Sequence, residues 1–82
     1  MKIVSQDGNL IIEFDNFCIL TFGRAILACK DILVKPIEVP NRAIAKYENE
    51  ETAKKVLKDM VKRYTMGSPL YYMPTAEEAK EL

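Results

Sequence analysis

The N-terminal half of the chain carries short apolar segments interrupted by turn residues, a pattern that predicts β-strands. Asp7-Gly8 is the strongest hairpin signal, and a type I′ turn there pairs Val4 with Ile11 and Lys2 with Glu13. One face of this hairpin is apolar and is predicted to be the core side, with Met1, Ile3, Leu10, Ile12 and Phe14. The opposite face is polar apart from Val4 and Ile11 and is predicted to be the outer side.

A second hairpin is predicted at Gly23-Arg24, where Gly at the first central position suits a type II′ turn. This register places Cys18 opposite Cys29. One face of the hairpin holds Cys18, Leu20, Phe22, Ala25, Leu27 and Cys29, and the other holds Ile19, Thr21, Ile26, Ala28 and Lys30. Both faces are mostly apolar, so we expect both to be covered, the second by the chain itself or by another subunit.

The segment that follows is interrupted by Pro36 and Pro40, which exclude a central strand through those positions. Residues 37–39 suit a short edge strand. Residues 42–47 alternate again and predict a strand that places three residues on one side, namely Ala43, Ala45 and Tyr47.

One long amphipathic helix is predicted after residue 49. Asn49 is a suitable N-cap, and Glu50 and Glu51 follow in the first turn, where the helix dipole favours anions. Gly67 suits the position just beyond the C-terminus of the helix. The apolar stripe, at three- and four-residue spacing, consists of Ala53, Val56, Leu57, Met60, Val61 and Tyr64.

The C-terminal residues predict a short last strand and a capping box. Residues 70–73 are apolar and precede Pro74, and Thr75 with Glu78 has the capping-box spacing. Residues 75–82 form either a frayed or a short helical tail. These elements predict an α+β fold in which residues 1–74 are one domain, a small antiparallel sheet of about four to six strands with one long amphipathic helix packed on it.

Composition places the chain among compact cytoplasmic domains. Its 82 residues suffice for one domain, and 12 basic and 12 acidic residues give no net charge that would attract nucleic acid or an anionic membrane. Two cysteines are too few for a disulfide-based secreted scaffold, and Asp7 and Gly8 interrupt any signal peptide. No apolar run approaches the ~20 residues of a membrane span, so we predict no membrane contact.

Residues able to carry catalysis or to bind a metal are scarce. There is no histidine, neither Ser5 nor Ser68 lies in a nucleophile motif, and the three glycines are all used by turns or the helix end. We therefore predict no catalytic, cofactor-binding or metal-binding residues, no cofactor, no small-molecule substrate and no enzymatic activity. Cys18 and Cys29 are interpreted as reduced core thiols in preference to a cross-strand disulfide, because cytosolic thiols stay reduced.

Basic side chains of the helix form a candidate nucleic-acid face, made of Lys54, Lys55, Lys58, Lys62 and Arg63. Glu50, Glu51 and Asp59 lie three or four residues from these cations, as on a solvated surface with ion pairs along the helix. No aromatic side chain is expected beside them to stack on bases. The pattern favours a solvated surface, and nucleic-acid binding or a regulatory accessory role is the alternative function.

Tyr71 and Tyr72 point to opposite sides of the predicted last strand, so one belongs to the core and the other to the surface. The candidate interface residues are Ile19, Ile26, Tyr71 and Tyr72, with core packing as the competing interpretation. Because so small a chain cannot easily cover a hairpin that is apolar on both faces, the leading hypothesis is a non-enzymatic interaction or assembly protein. Its predicted partner is a second copy or another protein.

Four segments carry a resemblance that extends over most of the chain: Met1-Lys2-Ile3-Val4-Ser5-Gln6-Asp7-Gly8, Ala45-Lys46-Tyr47, Glu50-Glu51-Thr52-Ala53 and Tyr72-Met73-Pro74. In order and spacing they resemble a family of small uncharacterised proteins from Gram-positive bacteria and their prophages. Residues 31–41 match that pattern least. The resemblance implies a compact β-rich domain with one helix, a phage-related origin, and no assigned activity or catalytic residues.

Overall fold

The structure, a computed structural model, describes residues 1–29 and 42–82. The predicted edge strand at residues 37–39 and Lys30 lie outside the described residues. In the described part the fold is α+β, with six strands, two α-helices and a short 3-10 turn at Phe14–Asn16. The strands are β1 (Lys2–Val4), β2 (Ile11–Glu13), β3 (Cys18–Phe22), β4 (Ala25–Cys29), β5 (Arg42–Lys46) and β6 (Leu70–Tyr72), and the helices are α1 (Glu50–Thr65) and α2 (Ala76–Ala79).

The six described strands form two three-stranded sheets rather than one antiparallel sheet. The first sheet has the order β2-β1-β6 and the second the order β3-β4-β5. All described pairings are antiparallel except that of β1 with β6, which run parallel with Ile3 beside Tyr71. A parallel pair needs a long crossover connection, and here β2 to β5 and α1 lie between the two strands in the chain. The first sheet is thus assembled from both ends of the sequence.

Both hairpins have the predicted registers, with Val4 opposite Ile11 in the first and Cys18 opposite Cys29 in the second. In the second turn Gly23 has a φ of +59° and the residue after it does not have a positive φ, as in a type II′ turn. In the first hairpin the burial of one face helps to set the register, whereas in the second, where consecutive residues of β4 are buried on both faces, the two-residue turn sets it.

The first turn differs from the predicted type I′ turn. Of its two central residues, only Gly8 has a positive φ, at +77°. The Gly8 amide donates to the Ser5 carbonyl (2.9 Å), and the Asp7 carboxylate accepts from the Ser5 hydroxyl (2.6 Å) and from the Asn9 amide (2.9 Å). The two bonds to the carboxylate, first the one from the Ser5 hydroxyl and then the one from the Asn9 amide, lower the pKa of Asp7.

A β-bulge in β5 changes which side chains in the first half of that strand are buried. Ile26 pairs with Ala45 and Leu27 with Ala43, so Ile44 is the extra residue. As a result Ile44 and Ala45 are both buried, whereas Ala43, predicted on the same side as Ala45, is exposed. The bulge directs the larger isoleucine into the core in place of an alanine.

Helix α1 begins and ends as predicted. The Asn49 side chain accepts from the amide of the residue three positions on (2.8 Å). At the other end Gly67 has a φ of +81°, and the amides of Gly67 and Ser68 donate to the carbonyls of Tyr64 (3.0 Å) and Arg63 (3.1 Å). This pair of bonds is a Schellman motif, which satisfies carbonyls at the helix end.

The buried stripe of α1 is narrower than predicted. Its fully buried members are Ala53, Val56 and Met60, and Leu57 is partly buried. Val61 is 46% exposed because it lies about 100° around the helix from Met60, on the solvent side. Tyr64 lies at the border of the stripe, where its ring stacks on Phe14 (4.4 Å between centroids) and its hydroxyl donates to Asp15 (2.6 Å).

The core is one cluster shared by both sheets and both helices. Its large, fully buried side chains are Ile3, Ile26, Ile44, Met60 and Val56. Helix α1 packs on β3 and β4, so the chain itself covers the hairpin face that holds Ile26. Of the two alternatives for the C-terminal tail, the structure has the helical one: Thr75 and Glu78 form the capping box of α2, and Ala79 is buried.

Candidate functional site

The outer face of the first sheet carries a row of apolar side chains. Val4 lies between Ile11 on β2 and Tyr72 on β6. Ile11 is 62% exposed and Tyr72 is 68% exposed. Leu70, two residues from Tyr72 and therefore on the same face, is 41% exposed. These four residues, Val4, Ile11, Leu70 and Tyr72, are named the outer patch.

An ion pair borders the outer patch. Lys2 lies between Glu13 and Leu70 in the row next to Val4, and its Nζ donates to Glu13 Oε1. This hydrogen bond is the main cause that lowers the pKa of Glu13, and the positive charges of Lys2 and of the N-terminus act in the same direction. Because the two charges pair with each other, this border of the outer patch is polar but carries no net charge.

Strand β6 forms an edge of the first sheet. The Lys2 amide donates to the Pro69 carbonyl (3.0 Å), and the parallel register continues from there along β6. Backbone groups of successive strand residues point alternately to the two sides, so the N–H and C=O groups of Leu70 and Tyr72 point away from β1. Within residues 1–29 and 42–82, these four edge groups form no hydrogen bond.

A groove of about 340 Å³ lies beside this edge. Tyr71 lines it, and its hydroxyl donates to Asp59 Oδ2 (2.7 Å), while Arg63 Nε lies 3.8 Å from Asp59 Oδ1. Burial first, and then the bond to Asp59, raises the pKa of Tyr71, so the hydroxyl stays protonated and acts as a donor. Glu78 and Leu82 also line the groove, which therefore holds charges of both signs.

Gln6 connects three separate segments at the end of β1. Its backbone amide donates to the Ile44 carbonyl (2.8 Å), and its side chain accepts from the Lys46 amide (2.9 Å) and donates to the Lys46 carbonyl (3.0 Å). The side chain also donates to the Pro74 carbonyl (3.1 Å), which accepts in addition from the Tyr47 hydroxyl (2.8 Å). Gln6 thus covers the outer edge of β5 as a neighbouring strand would, and it fixes the loop that follows β6.

Of the four candidate interface residues, Tyr72 alone lies on an exposed surface. Ile26 is fully buried and Ile19 is partly buried against the core, because α1 packs across β3 and β4. Ile26 therefore does not lie at an exposed interface, and the interface role of the partly buried Ile19 stays a prediction. Tyr71 is also buried, so the two adjacent tyrosines divide between core and surface, as the alternation of a strand requires.

Ile11 and Leu70 belong to the outer patch but were not among the predicted interface residues. A signal for Ile11 was present, because an apolar pair with Val4 on an otherwise polar hairpin face indicates a contact surface. Strand alternation alone places Leu70 on the same face as Tyr72, whereas its position beside Lys2 follows from the parallel pairing of β6 with β1.

The candidate nucleic-acid residues lie on two sides of α1. At about 100° per residue, four of them share one side of the helix, namely Lys54, Lys55, Lys58 and Lys62. Lys54 pairs with Glu50 (3.5 Å), and the other three lysines form no ion pair within the described residues. Arg63 is turned about 100° away from Lys62, toward the groove and its partner Asp59.

The two cysteines lie directly opposite each other on β3 and β4, and no disulfide joins them. Burial raises the pKa of the Cys29 thiol, and the nearby Cys18 adds to the increase. In the part of the chain that the structure describes, no group of three or more acidic or cysteine side chains could hold a metal ion. No described helix is both long enough and apolar enough to cross a membrane.

Comparisons with protein-family models, with curated proteins and with solved structures found no match for this chain. The outer patch, the edge of β6 and the groove beside it are the features of the described residues that bear on function.

Proposed function

We propose that this protein is a small non-enzymatic interaction protein that associates with other protein chains, in the first place with its own copies, through the outer patch. The observation that carries the proposal is the row formed by Ile11, Val4 and Tyr72, two of whose side chains are more than half exposed. Aromatic and large aliphatic side chains that form a contiguous exposed row are typical of protein contact surfaces.

The size of the patch limits how it can bind. Fully burying a large apolar side chain contributes roughly 1.5–3 kcal/mol. Association costs an estimated 4–15 kcal/mol in lost translational and rotational freedom. Three or four such side chains contribute about 4.5–12 kcal/mol, a range close to that cost, so backbone or charged contacts next to the patch would make the complex stable.

Size-exclusion chromatography coupled to light scattering, over a concentration series from low micromolar to near millimolar, tests the proposal. We expect the wild-type mass to rise above that of one copy, and Ile11→Lys to shift this rise to higher concentration because it places a charge in the patch. Val61→Lys is the matched control, since Val61 is an exposed apolar residue outside the patch. A wild-type protein that stays monomeric throughout would contradict the proposal.

The second candidate function is nucleic-acid binding by the lysine side of α1. It is favoured by Lys55, Lys58 and Lys62, which have no ion-pair partner among the described residues. Titrations of DNA and RNA at increasing salt test it, because phosphate contacts weaken steeply as salt rises. If these lysines bind phosphates, Lys58→Glu abolishes binding, whereas Arg63→Glu, on the groove side, has little effect. Absence of binding at low salt rules this function out.

A cytoplasmic location is part of the proposal, because two cysteines in 82 residues are too few for a disulfide-based secreted scaffold. The phage-related origin implied by the N-terminal resemblance stays a prediction. Phage structural or lysogeny genes beside the coding sequence would support it.

A further inference from the structure

We infer that two copies of this protein pair through the β6 edges, antiparallel about a two-fold axis that passes beside Tyr71, to form one continuous six-stranded sheet. This inference depends on the proposed function and deepens it, because it names the partner, a second copy, and the contact that supplements the outer patch.

Hydrogen-bond geometry selects this register. The outward-facing backbone groups of β6 are the N–H and C=O of Leu70 and of Tyr72, two donors and two acceptors per copy. In an antiparallel pair, residues that exchange both hydrogen bonds lie directly opposite each other. Placing Leu70 opposite Tyr72 of the second copy satisfies all four groups of each copy, with four hydrogen bonds across the axis. Pro74, the next outward-facing residue after Tyr72, lacks an amide proton, so the outward-facing donors end at Tyr72.

The side chains agree with the same register. Directly opposite residues lie on the same face of a sheet, so the exposed Leu70 side chain meets Tyr72 of the second copy, and this contact occurs twice. The outer patches of the two copies then become one apolar strip across the dimer. On the other face the two grooves adjoin. Each groove is lined by one cation, Arg63, and by the carboxylate of Glu78, which forms no ion pair with that arginine. A two-fold arrangement allows these opposite charges to pair reciprocally.

The edge of β2 is a poorer site for the same pairing. Antiparallel pairing of two β2 strands around Ile12 would place the apolar Ile11 opposite Glu13 of the second copy. Glu13 already pairs with Lys2, and this charged pair would be desolvated beside an isoleucine. Charged side chains on an edge strand disfavour edge-to-edge pairing, whereas β6 presents only leucine and tyrosine.

A matched pair of variants separates the backbone contact from the side-chain contact. Tyr72→Ala and Tyr72→Pro both remove the aromatic ring, but only proline removes the edge N–H. Proline is tolerated on an edge strand whose N–H faces outward, and the preceding residue is already extended. We expect the dimer dissociation constant of Tyr72→Pro to exceed that of Tyr72→Ala by roughly ten- to hundredfold, because two of four hydrogen bonds are lost. Far-ultraviolet circular dichroism establishes that both variants fold.

Equal dissociation constants for the two folded variants would overturn the edge pairing. The proposed function would survive that result if Ile11→Lys still weakened association, so the two claims fail separately. A wild-type protein that is monomeric at near-millimolar concentration would overturn both.

Amide hydrogen exchange of the wild-type protein, read residue by residue by NMR, tests the inference even if the proline variant does not fold. The amides of Leu70 and Tyr72 should exchange rapidly in dilute solution and become protected as the concentration rises, while the amide of Tyr71, bonded within the sheet, is protected at both concentrations. An increase in mass without new protection at Leu70 and Tyr72 would overturn the edge pairing.

Discussion

The Pro74 carbonyl accepts hydrogen bonds from two distant side chains, and we predict that removing both costs more than the sum of removing each. Gln6→Met keeps the length of the side chain but removes its amide, and Tyr47→Phe removes only the hydroxyl. In either single variant the carbonyl keeps one donor, from Tyr47 or from Gln6. In the double variant it keeps neither.

The expected loss of unfolding free energy in each variant follows from how deeply its hydrogen-bonding groups are buried. A neutral hydrogen bond contributes about 0.5–1.5 kcal/mol net, and Tyr47 is 2% exposed, so Tyr47→Phe should cost about 1–1.5 kcal/mol. Gln6→Met loses three side-chain bonds, but the Lys46 groups lie near the surface, where water replaces the amide, so about 1.5–2.5 kcal/mol is expected. Leaving the Pro74 carbonyl without a donor adds about 1 kcal/mol in the double variant. The total approaches the roughly 5 kcal/mol at the lower end of domain stabilities.

Urea denaturation of the wild type, the two single variants and the double variant, followed by circular dichroism, measures this coupling. The slope of the unfolding free energy against urea concentration serves as the control. Equal slopes for all four proteins show that the compactness of the native and unfolded states has not changed. If the losses in unfolding free energy of the two single variants add to that of the double variant within about 0.3–0.5 kcal/mol, the scatter of independent sites, the two donors are not coupled through the Pro74 carbonyl.

Three further predictions concern the core, the helix cap and the thiols. Met60→Ala should cost about 2–5 kcal/mol in unfolding free energy because it opens a cavity under α1, whereas Val61→Ala, on the exposed side, should stay within about 0.5 kcal/mol; similar costs would contradict the observed helix orientation. Asn49→Ala should cost about 1 kcal/mol by removing the N-cap, and an unchanged thermal midpoint would refute this role. Iodoacetamide at mildly alkaline pH, followed by mass spectrometry, should modify Cys18 about tenfold faster than Cys29, whose thiol is buried and has a raised pKa; equal rates would contradict that burial.

Elements governed by neighbours in the chain were predictable from the sequence. The hairpin at Gly23-Arg24 and the ends of α1 depend on turn glycines and on the Asn49 cap, whose effects extend over a few residues. The division of Tyr71 and Tyr72 between core and surface likewise follows from strand alternation alone. The turn at Asp7 was less predictable, because side-chain bonds to Ser5 compete with the turn type that the dipeptide favours.

Features that depend on contacts between distant segments were not predictable from local pattern. The parallel pairing of β1 with β6 joins the two ends of the chain, and no sequence period marks it. The placement of Ile26 inside the core depends on which hairpin face α1 covers, and both faces are apolar enough to accept a helix. The bulge at Ile44 depends on the pairing of β5 with β4, and it exchanges the exposure of Ala43 and Ile44 relative to a regular strand.

Three sheet edges differ in how they are protected against pairing with another chain, and this difference favours β6 as the contact. The edge of β5 is covered by Gln6, whose side chain bonds to both backbone groups of Lys46. The edge of β2 carries Glu13, a charge of the kind that discourages pairing with another chain. The edge of β6 has neither protection among the described residues, and its outward side chains are the exposed Leu70 and Tyr72. A small domain that left such an edge open in solution would risk irregular aggregation, whereas closed two-fold pairing satisfies its backbone groups and ends the sheet at the protected β2 edges.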